Sequence, residues 1–380
     1  AIKESIFSLS KSIGLKRKEQ TNTLKIILLN FVYFDFRALI TPRAKQSLAP
    51  RRSNPLGIGA KSLVTVLDAL INEGLITQNL GFKDLAKNTG TSTSIEPADT
   101  LISFLCEHGF RKDVIHRARN AECLLLRNSK SVQGNKYLKD YTDSYRTNMM
   151  RVELVKYNSL LSETDIRVLA DDHASEMDFN SQFVTRKFTD FGLHDPEGSE
   201  LFAFGGRMYA EWCNLSKVQR SRLALNGDEC VELDYPASHV NVMYKHLTGD
   251  WYQGDDPYEL EVDGVGIPRH LVKKLSSIML NVSSESAATK SLQSAYIKKG
   301  QGIEDLEGDT EGEDYIRAVD AVGIRSIIRA YLEKHSVIAD FFLRDKQTGA
   351  YIQFLESELV MDVVNRLTLK GIPCLTIYDS

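Results

Sequence analysis

Two aspartates and one pair of basic residues are the parts of this 380-residue chain that could do chemistry together. Asp234 lies in "VELDY", where Val231, Leu233 and Tyr235 alternate with Glu232 and Asp234 in the period-two pattern of a half-buried strand. Asp379 follows a second short apolar run, Cys374 to Tyr378, and stands 145 residues after Asp234. Between them, in "IPRHLVKKLSSIMLN", Arg269 and Lys273 are four residues apart on one face of an expected helix, and Val272, Leu275 and Met279 form its apolar stripe. Like charges at that spacing repel by roughly 0.2–0.5 kcal/mol, and a bound polyphosphate would reverse the sign. Carboxylates on adjacent strands can hold two divalent ions about 3.5–4 Å apart, which stabilise the attacking and leaving oxygens of a phosphoryl transfer. A cationic helix then neutralises and aligns a triphosphate. Each feature alone has an ordinary reading, as a turn aspartate or a solvated basic face. Their order along the chain is what points to chemistry.

The surrounding pattern supplies the elements that would position these groups. Pro236 breaks the first strand, and Val240, Met243, Tyr244 and Leu247 recur at helical spacing until Gly249. Pro268 suits the first turn of the basic helix. "YIQFLESELVMDVVNRLTLKGIP" predicts a helix with Ile352, Leu355, Leu359, Val363 and Leu367 inward and Gly371 as its stop. The first half reads as mostly helical. "TLKIILLNFVYF" (23–34) is strongly apolar, and "KSLVTVLDALINEGLI" (61–76) sets Leu63, Leu67, Leu70 and Ile71 at helical spacing with Gly74 near its end. Ser162 followed by Asp165 reads as a capping box opening a further helix.

Composition narrows the class. Hydrophobic residues make up 42% and charged residues 26%, an ordinary soluble balance, and no apolar run reaches the length of a membrane span. The five cysteines are scattered and nowhere spaced like a metal knuckle, which fits free thiols and a cytoplasmic location. The net charge of −4 is unevenly spread: residues 1–60 hold eleven Lys or Arg against three Asp or Glu, with "LKRK" at 15–18. Such an arm suits either a polyanion partner or a solvated tail. Residues 304–314 carry seven carboxylates, interrupted by glycines, and read as an exposed loop. "DDHASEMD" (171–178) gathers carboxylates and a histidine without a second ligand cluster, and His108, His116, His194 and His335 stand isolated.

In their order these segments resemble the palm and fingers of the family A DNA polymerases and the related single-subunit RNA polymerases. "ELDYPASHV" (232–240) is similar to the first palm motif, "RHLVK" (269–273) to the Arg-x-x-x-Lys of the fingers helix, and "TIYDS" (376–380) to the second palm motif. "GGRMYAEWCNLS" (205–216) is similar to the segment that touches the primer–template, and the Glu-Ser helix at 352–370 occupies the place of the helix before the second aspartate. The resemblance covers residues 200–380. It implies Asp234 and Asp379 as metal ligands, a backbone carbonyl from Tyr235, and Arg269 and Lys273 on the triphosphate. It places His239 and Asn281 at the sugar-selecting positions and Arg207 and Asn214 against nucleic acid. It implies two Mg²⁺ ions, for which Mn²⁺ could stand in, with nucleoside triphosphates and a primed DNA template as partners and no membrane. Departures are the Tyr378 in place of a histidine, Ser277 in place of an aromatic, and the missing Tyr-Gly after the basic helix. They mark a divergent branch, with the texture of a phage, plasmid or other mobile element.

The expected architecture is α+β, a right hand with an antiparallel palm sheet. Its parts would be a basic arm and first helix (1–60), a helical thumb-like or template-binding domain (61–198), the first part of the palm (199–262), a fingers insertion (263–345) and the second part of the palm (346–380). On this reading the chain stops inside the second palm motif, as a segment of a longer protein. The expected activity is template-directed nucleotidyl transfer by a DNA polymerase. A single-subunit RNA polymerase or primase-like enzyme is one alternative. A non-catalytic replication protein with a degenerate palm is another, with 61–76 inside a winged-helix module.

Overall fold

The computed structural model describes residues 2–41, 45–84, 89–115, 121–129, 137–170, 176–179, 181–192, 199–296 and 310–377. The fold is α+β, dominated by helices, with several small sheets of two to four strands. It divides into two compact units: Ala1–Thr185 with Ala210–Asp228, and Arg186–Tyr209 with Glu229–Ser380.

The first unit begins with α1 (Ile2–Ser12), α2 (Lys18–Tyr33), β1 (Leu39–Ile40), α3 (Lys45–Leu48) and α4 (Ala60–Asn72). The apolar runs at 23–34 and 61–76 form helices as expected. Leu24, Leu28 and Phe31 of α2 meet Leu63, Val66, Leu67 and Leu70 of α4 in one core, and α4 stops at Gly74, whose φ of +64° an L residue resists. Strands β2 (Ile76–Asn79), β3 (Phe82–Asp84), β4 (Thr89–Thr91) and β5 (Ser94–Pro97) precede α5 (Asp99–Glu107). β5 lies between β1 and β2, all antiparallel, with Ile95 facing both Leu39 and Gln78. There follow β6 (Leu124–Asn128), β7 (Leu138–Lys139), α6 (Tyr145–Ser162), β8 (Ile166–Val168) and β9 (Met177–Asp178). The capping box expected at Ser162 is not formed: Ser162 ends α6, and Asp165 leads into β8. The helix is capped instead by Ser144, whose hydroxyl accepts from the Thr147 amide at 3.2 Å. The first half is therefore richer in strand than expected, because strands of two to five residues are too short to show a period. Beside α6, the Glu122 side chain, 7% exposed, sits between the guanidiniums of Arg52, 2.9 Å away, and Arg151, 3.1 Å away.

The second unit opens with β10 (Thr185–Asp190) beside β11 (Gly205–Tyr209). After α7 (Lys217–Arg220), β12 (Leu223–Leu225) and β13 (Asp228–Glu229), which lie at or before its second boundary, come α8 (Ser238–Thr248), β14 (Leu260–Val262) and β15 (Val265–Ile267). Asp263 and Gly264 make the two-residue turn of the β14–β15 hairpin, both at positive φ, as Asp-Gly in a hairpin allows. Helices α9 (Arg269–Met279), α10 (Glu285–Tyr296), α11 (Thr310–Val322), α12 (Ile324–Lys334) and α13 (Thr348–Leu369) complete it. Val240 and Met243 of α8, Val272, Leu275 and Met279 of α9, Ile327 and Ile328 of α12 and Ile352 of α13 share its core.

Two expectations fail here. Residues 231–235 form no strand; Val231 and Leu233 are 83% and 78% exposed, and no described strand pairs with them. Alternation fits a pleated, half-buried surface, and without a neighbouring strand to supply that surface the run stays extended and open. Residues 372–377 likewise carry no regular structure, while Tyr378, Asp379 and Ser380 lie outside the described residues, so a palm sheet joining the two aspartates is not described. The sequence-predicted stripe on α13 is also displaced. Ile352 is buried and Leu355 packs partly against the core, but Leu359 and Val363 are exposed; the buried face runs through Ile352, Glu356, Val360 and Val364. Most of 171–178, His116, His194 and the acidic run up to residue 309 lie outside the described residues. The end of that run, 310–314, is not a loop but the first turns of α11, where Glu311 and Asp314 lie 3.9 Å and 4.0 Å from Lys274 and His270 of α9.

Candidate functional site

The displaced face of α13 puts a carboxylate where an apolar side chain was expected. Glu356 is 2% exposed, and its hydrogen-bond and ion-pair partners come from segments far from it in sequence. Its Oε1 accepts from Ser238 Oγ at 2.7 Å, at the first turn of α8. Its Oε2 accepts from Arg207 Nε at 2.8 Å and also from Arg207 Nη2, on β11. His239 Nε2 lies 3.6 Å from Oε1 and 3.4 Å from Arg207 Nη2. A buried carboxylate held by a guanidinium fork and a hydroxyl has the partners that burial demands.

β11 can approach α13 this closely because its first two residues have no side chains. Gly205 and Gly206 have φ of +82° and +80°, and a Cβ on Gly206 would fall 2.7 Å from Ser357 Oγ and 2.9 Å from Phe188 Cε1. The neighbouring strand supplies a second guanidinium. Arg186, 1% exposed, donates from Nε to the Gly206 carbonyl at 2.8 Å and from Nη2 to Ser357 Oγ at 3.0 Å and Glu358 Oε1 at 2.7 Å. Two arginines from the β10–β11 pair thus engage three successive polar residues of α13.

Ser238 and His239 follow Asp234 by four and five residues. Between them Ala237, at φ +50°, turns the chain into α8, and Asn241 Nδ2 donates to the Pro236 carbonyl at 2.8 Å. Asp234 itself is exposed and has no hydrogen bond or ion pair among the described residues, so its carboxylate is open to a cation. Tyr235, Pro236, Ser238, Trp251, Glu356 and Leu359 are among the residues lining a largely apolar cavity of about 300 Å³.

The remaining expected site residues are placed as follows. Arg269 sits in the first turn of α9, after Pro268, which is the N-cap residue and not the first helical one. Its guanidinium pairs with Asp256 and lies 5.3 Å from the centre of the Tyr258 ring. That pair, through its hydrogen bond, holds the Asp256 carboxyl below the usual range. Lys273, one turn on, is exposed and makes no ion pair among the described residues. Asn281 closes the end of α9, donating to the Ser277 carbonyl at 2.9 Å, and stands against Gly349 at the start of α13. Asn214 belongs to the first unit, in a helical turn where it donates to Glu211 O at 3.4 Å. Arg207, His239 and the chain just after Asp234 and Tyr235 are therefore brought together; Arg269, Lys273 and Asn281 lie on α9 or at its end.

Sequence reasoning named Arg207 and His239 but not Glu356, Ser238, Arg186 or Ser357. A signal was present: Ile352, Glu356 and Val360 share one helical register, and a carboxylate inside an apolar register needs a cationic partner. Nothing local says which arginine, 149 residues away, provides it. Comparison with protein-family models, with curated proteins and with solved structures yields no match for this chain.

Proposed function

We propose that the second unit belongs to a template-directed nucleotidyltransferase, most simply a DNA-directed DNA polymerase. The observation that carries this reading is the Glu356 junction. Three of the segments that resemble polymerase motifs meet on one carboxylate: the Gly-Gly-Arg strand, the turn after Asp234 and Tyr235, and the helix that leads toward Asp379. In such an enzyme that junction would fix the helix before the second aspartate against the turn after the first.

Asp234 and Asp379 would hold two Mg²⁺ ions, which when bound stabilise the attacking 3′-oxygen and the leaving pyrophosphate. Lys273 would meet the triphosphate as an unpaired cation. Arg269 would have to exchange Asp256 for a phosphate, and an exposed ion pair of this kind, worth about 0–1 kcal/mol, is weak enough to yield. His239, held by its contacts with Arg207 and Glu356, would face the sugar end of the nucleotide.

The test is extension of a labelled primer on a DNA template by the natural gene product that contains this chain, with Mg²⁺ and either deoxy- or ribonucleotides. Template-directed growth that disappears in Asp234→Ala and on chelation of the metal is expected, and the preferred nucleotide distinguishes a DNA from an RNA polymerase. Growth undiminished by Asp234→Ala would overturn the assignment.

A further inference from the structure

We propose that the first unit carries a phosphate-binding pocket of its own, formed by Lys16, Arg17 and Lys61, which takes phosphodiester groups of a nucleic-acid strand. The choice of a nucleic acid among polyanions rests on the polymerase reading; the pocket does not. It is a polar cavity of about 260 Å³, lined by Lys16, Arg17, Glu19, Gln20, Lys61 and Thr65 among others. "LKRK" and the start of 61–76 were separate features in the sequence, and the fold brings them to one place.

The cations are exposed, and none of the three makes an ion pair with a described residue. Elsewhere in this unit Arg52 and Arg151 are each held by two carboxylates, Glu122 and Asp143; what sets Lys16, Arg17 and Lys61 apart is that they line one cavity. The first turns of α2 and α4 lie side by side at the pocket. Thr23 Oγ1 and Ser62 Oγ are 3.1 Å apart, and a Cβ on Gly59 would fall 2.4 Å from Glu19 Oε1. Neither N-cap residue, Arg17 of α2 or Gly59 of α4, caps its helix with a side-chain hydrogen bond. Gln20 Oε1 is spent on the amides of Lys16, at 3.1 Å, and Arg17, at 3.0 Å. Each helix start contributes roughly half a positive charge. With three side-chain cations and the one carboxylate of Glu19, roughly three positive charges converge on a concave polar surface. A solvated basic face spreads its charge outward; this one gathers it into a hollow that also holds the hydroxyl residues Ser62 and Thr65 and two helix N-termini, the chemistry that fits phosphate oxygens.

The experiment is a fluorescence-anisotropy titration of a labelled single-stranded oligonucleotide, without nucleotides or Mg²⁺, at several salt concentrations. The triple variant Lys16→Ala/Arg17→Ala/Lys61→Ala is expected to bind on the order of tenfold or more weakly and to lower the slope of log K against log salt by about 2, at roughly 0.7 per phosphate contact. Glu19→Gln should tighten binding. A comparison triple, Lys25→Ala/Lys156→Ala/Lys217→Ala, removes the same charge from exposed positions outside the pocket and should move neither quantity. An unchanged slope in the first triple, or equal loss in both, overturns the site. Displacement of the oligonucleotide by equimolar inorganic phosphate, or loss of binding to phosphatidylserine vesicles alone, overturns the nucleic-acid assignment. Thermal melts by circular dichroism establish that the triples fold. Asp234→Ala should leave this binding intact, so failure of the pocket and failure of the catalytic reading are separable.

Discussion

Truncating Glu356 is the most direct challenge to the description of the second unit. Glu356→Ala leaves the Arg207 guanidinium without its carboxylate and Ser238 without its acceptor. Breaking a buried pair from one side costs about 3–5 kcal/mol. Arg207 retains 17% side-chain exposure and can recover some hydration, which puts the expectation at the low end, about 3 kcal/mol. Glu356→Gln keeps an acceptor but exchanges charge-assisted hydrogen bonds for neutral ones, and should cost about 2 kcal/mol. Arg207→Met alone strands the buried carboxylate and should be as damaging as Glu356→Ala. The double variant Arg207→Met/Glu356→Met should be far milder than the sum, with a coupling of about 2–3 kcal/mol, because neither charge is then left buried alone. The assay is urea denaturation read by hydrogen exchange on peptides covering 205–209 and 352–360, which isolates this unit. Single variants costing less than about 1 kcal/mol, with additive effects in the double, would refute the reasoning.

Three further expectations concern backbone and pH. Gly206→Ala adds a left-handed-region penalty of about 1–2 kcal/mol to an overpacking cost of about 1–3 kcal/mol, whereas Gly227→Ala, at φ +89° with open space around it, should show only the first; equal melting shifts would contradict the close approach at Gly206. His335 is fully buried, with Nε2 2.8 Å from the Pro257 carbonyl and Nδ1 3.2 Å from the Tyr244 hydroxyl, an arrangement that suits the neutral ring, and burial depresses its pKa. Its contribution is therefore complete above the unfolded value near 6.5 and declines as pH falls from there through the folded value; His335→Gln should flatten that part of the stability profile in urea titrations. Burial opposes ionisation of Glu122, but hydrogen bonds from Arg151, the Leu124 amide and Arg52 outweigh it and hold the pKa below 4.5, so the first unit should lose stability as pH drops below that value, and Glu122→Gln should abolish the dependence.

The parts of the fold that were legible in the sequence are those with long periods. The helix at 60–72, the helix that ends at Gly249 and the apolar stripe Val272–Leu275–Met279 each repeat often enough to fix a face. The exposed run at 231–235 misled because alternation states which side a strand would bury without stating that a neighbour exists. On α13 the apolar residues at 355, 359, 363 and 367 suggested a seam, yet the face that packs includes Glu356 and Ser357, since two arginines on the opposing strand pair satisfy them. That compensation is a long-range property. Arg207 and His239 entered through motif order, and the carboxylate joining them became visible only in three dimensions.

The two arginine contacts with α13 also say something about how this unit must form. Arg207 finds Glu356 across 149 residues and Arg186 finds Ser357 across 171. Closing a loop of that size costs roughly 2 kcal/mol more chain entropy than closing one a tenth as long, whereas α9, α10 and α12 can collapse on neighbours close in sequence. On a ribosome, the β10–β11 pair would leave the exit tunnel long before its helix exists, its two guanidiniums solvated and the face that meets α13 uncovered. The unit should therefore assemble from its middle outward. The step that seats β11 on α13 would come late, and chains halted before residue 356 should remain open to proteases at 205–209 while α9 is already protected.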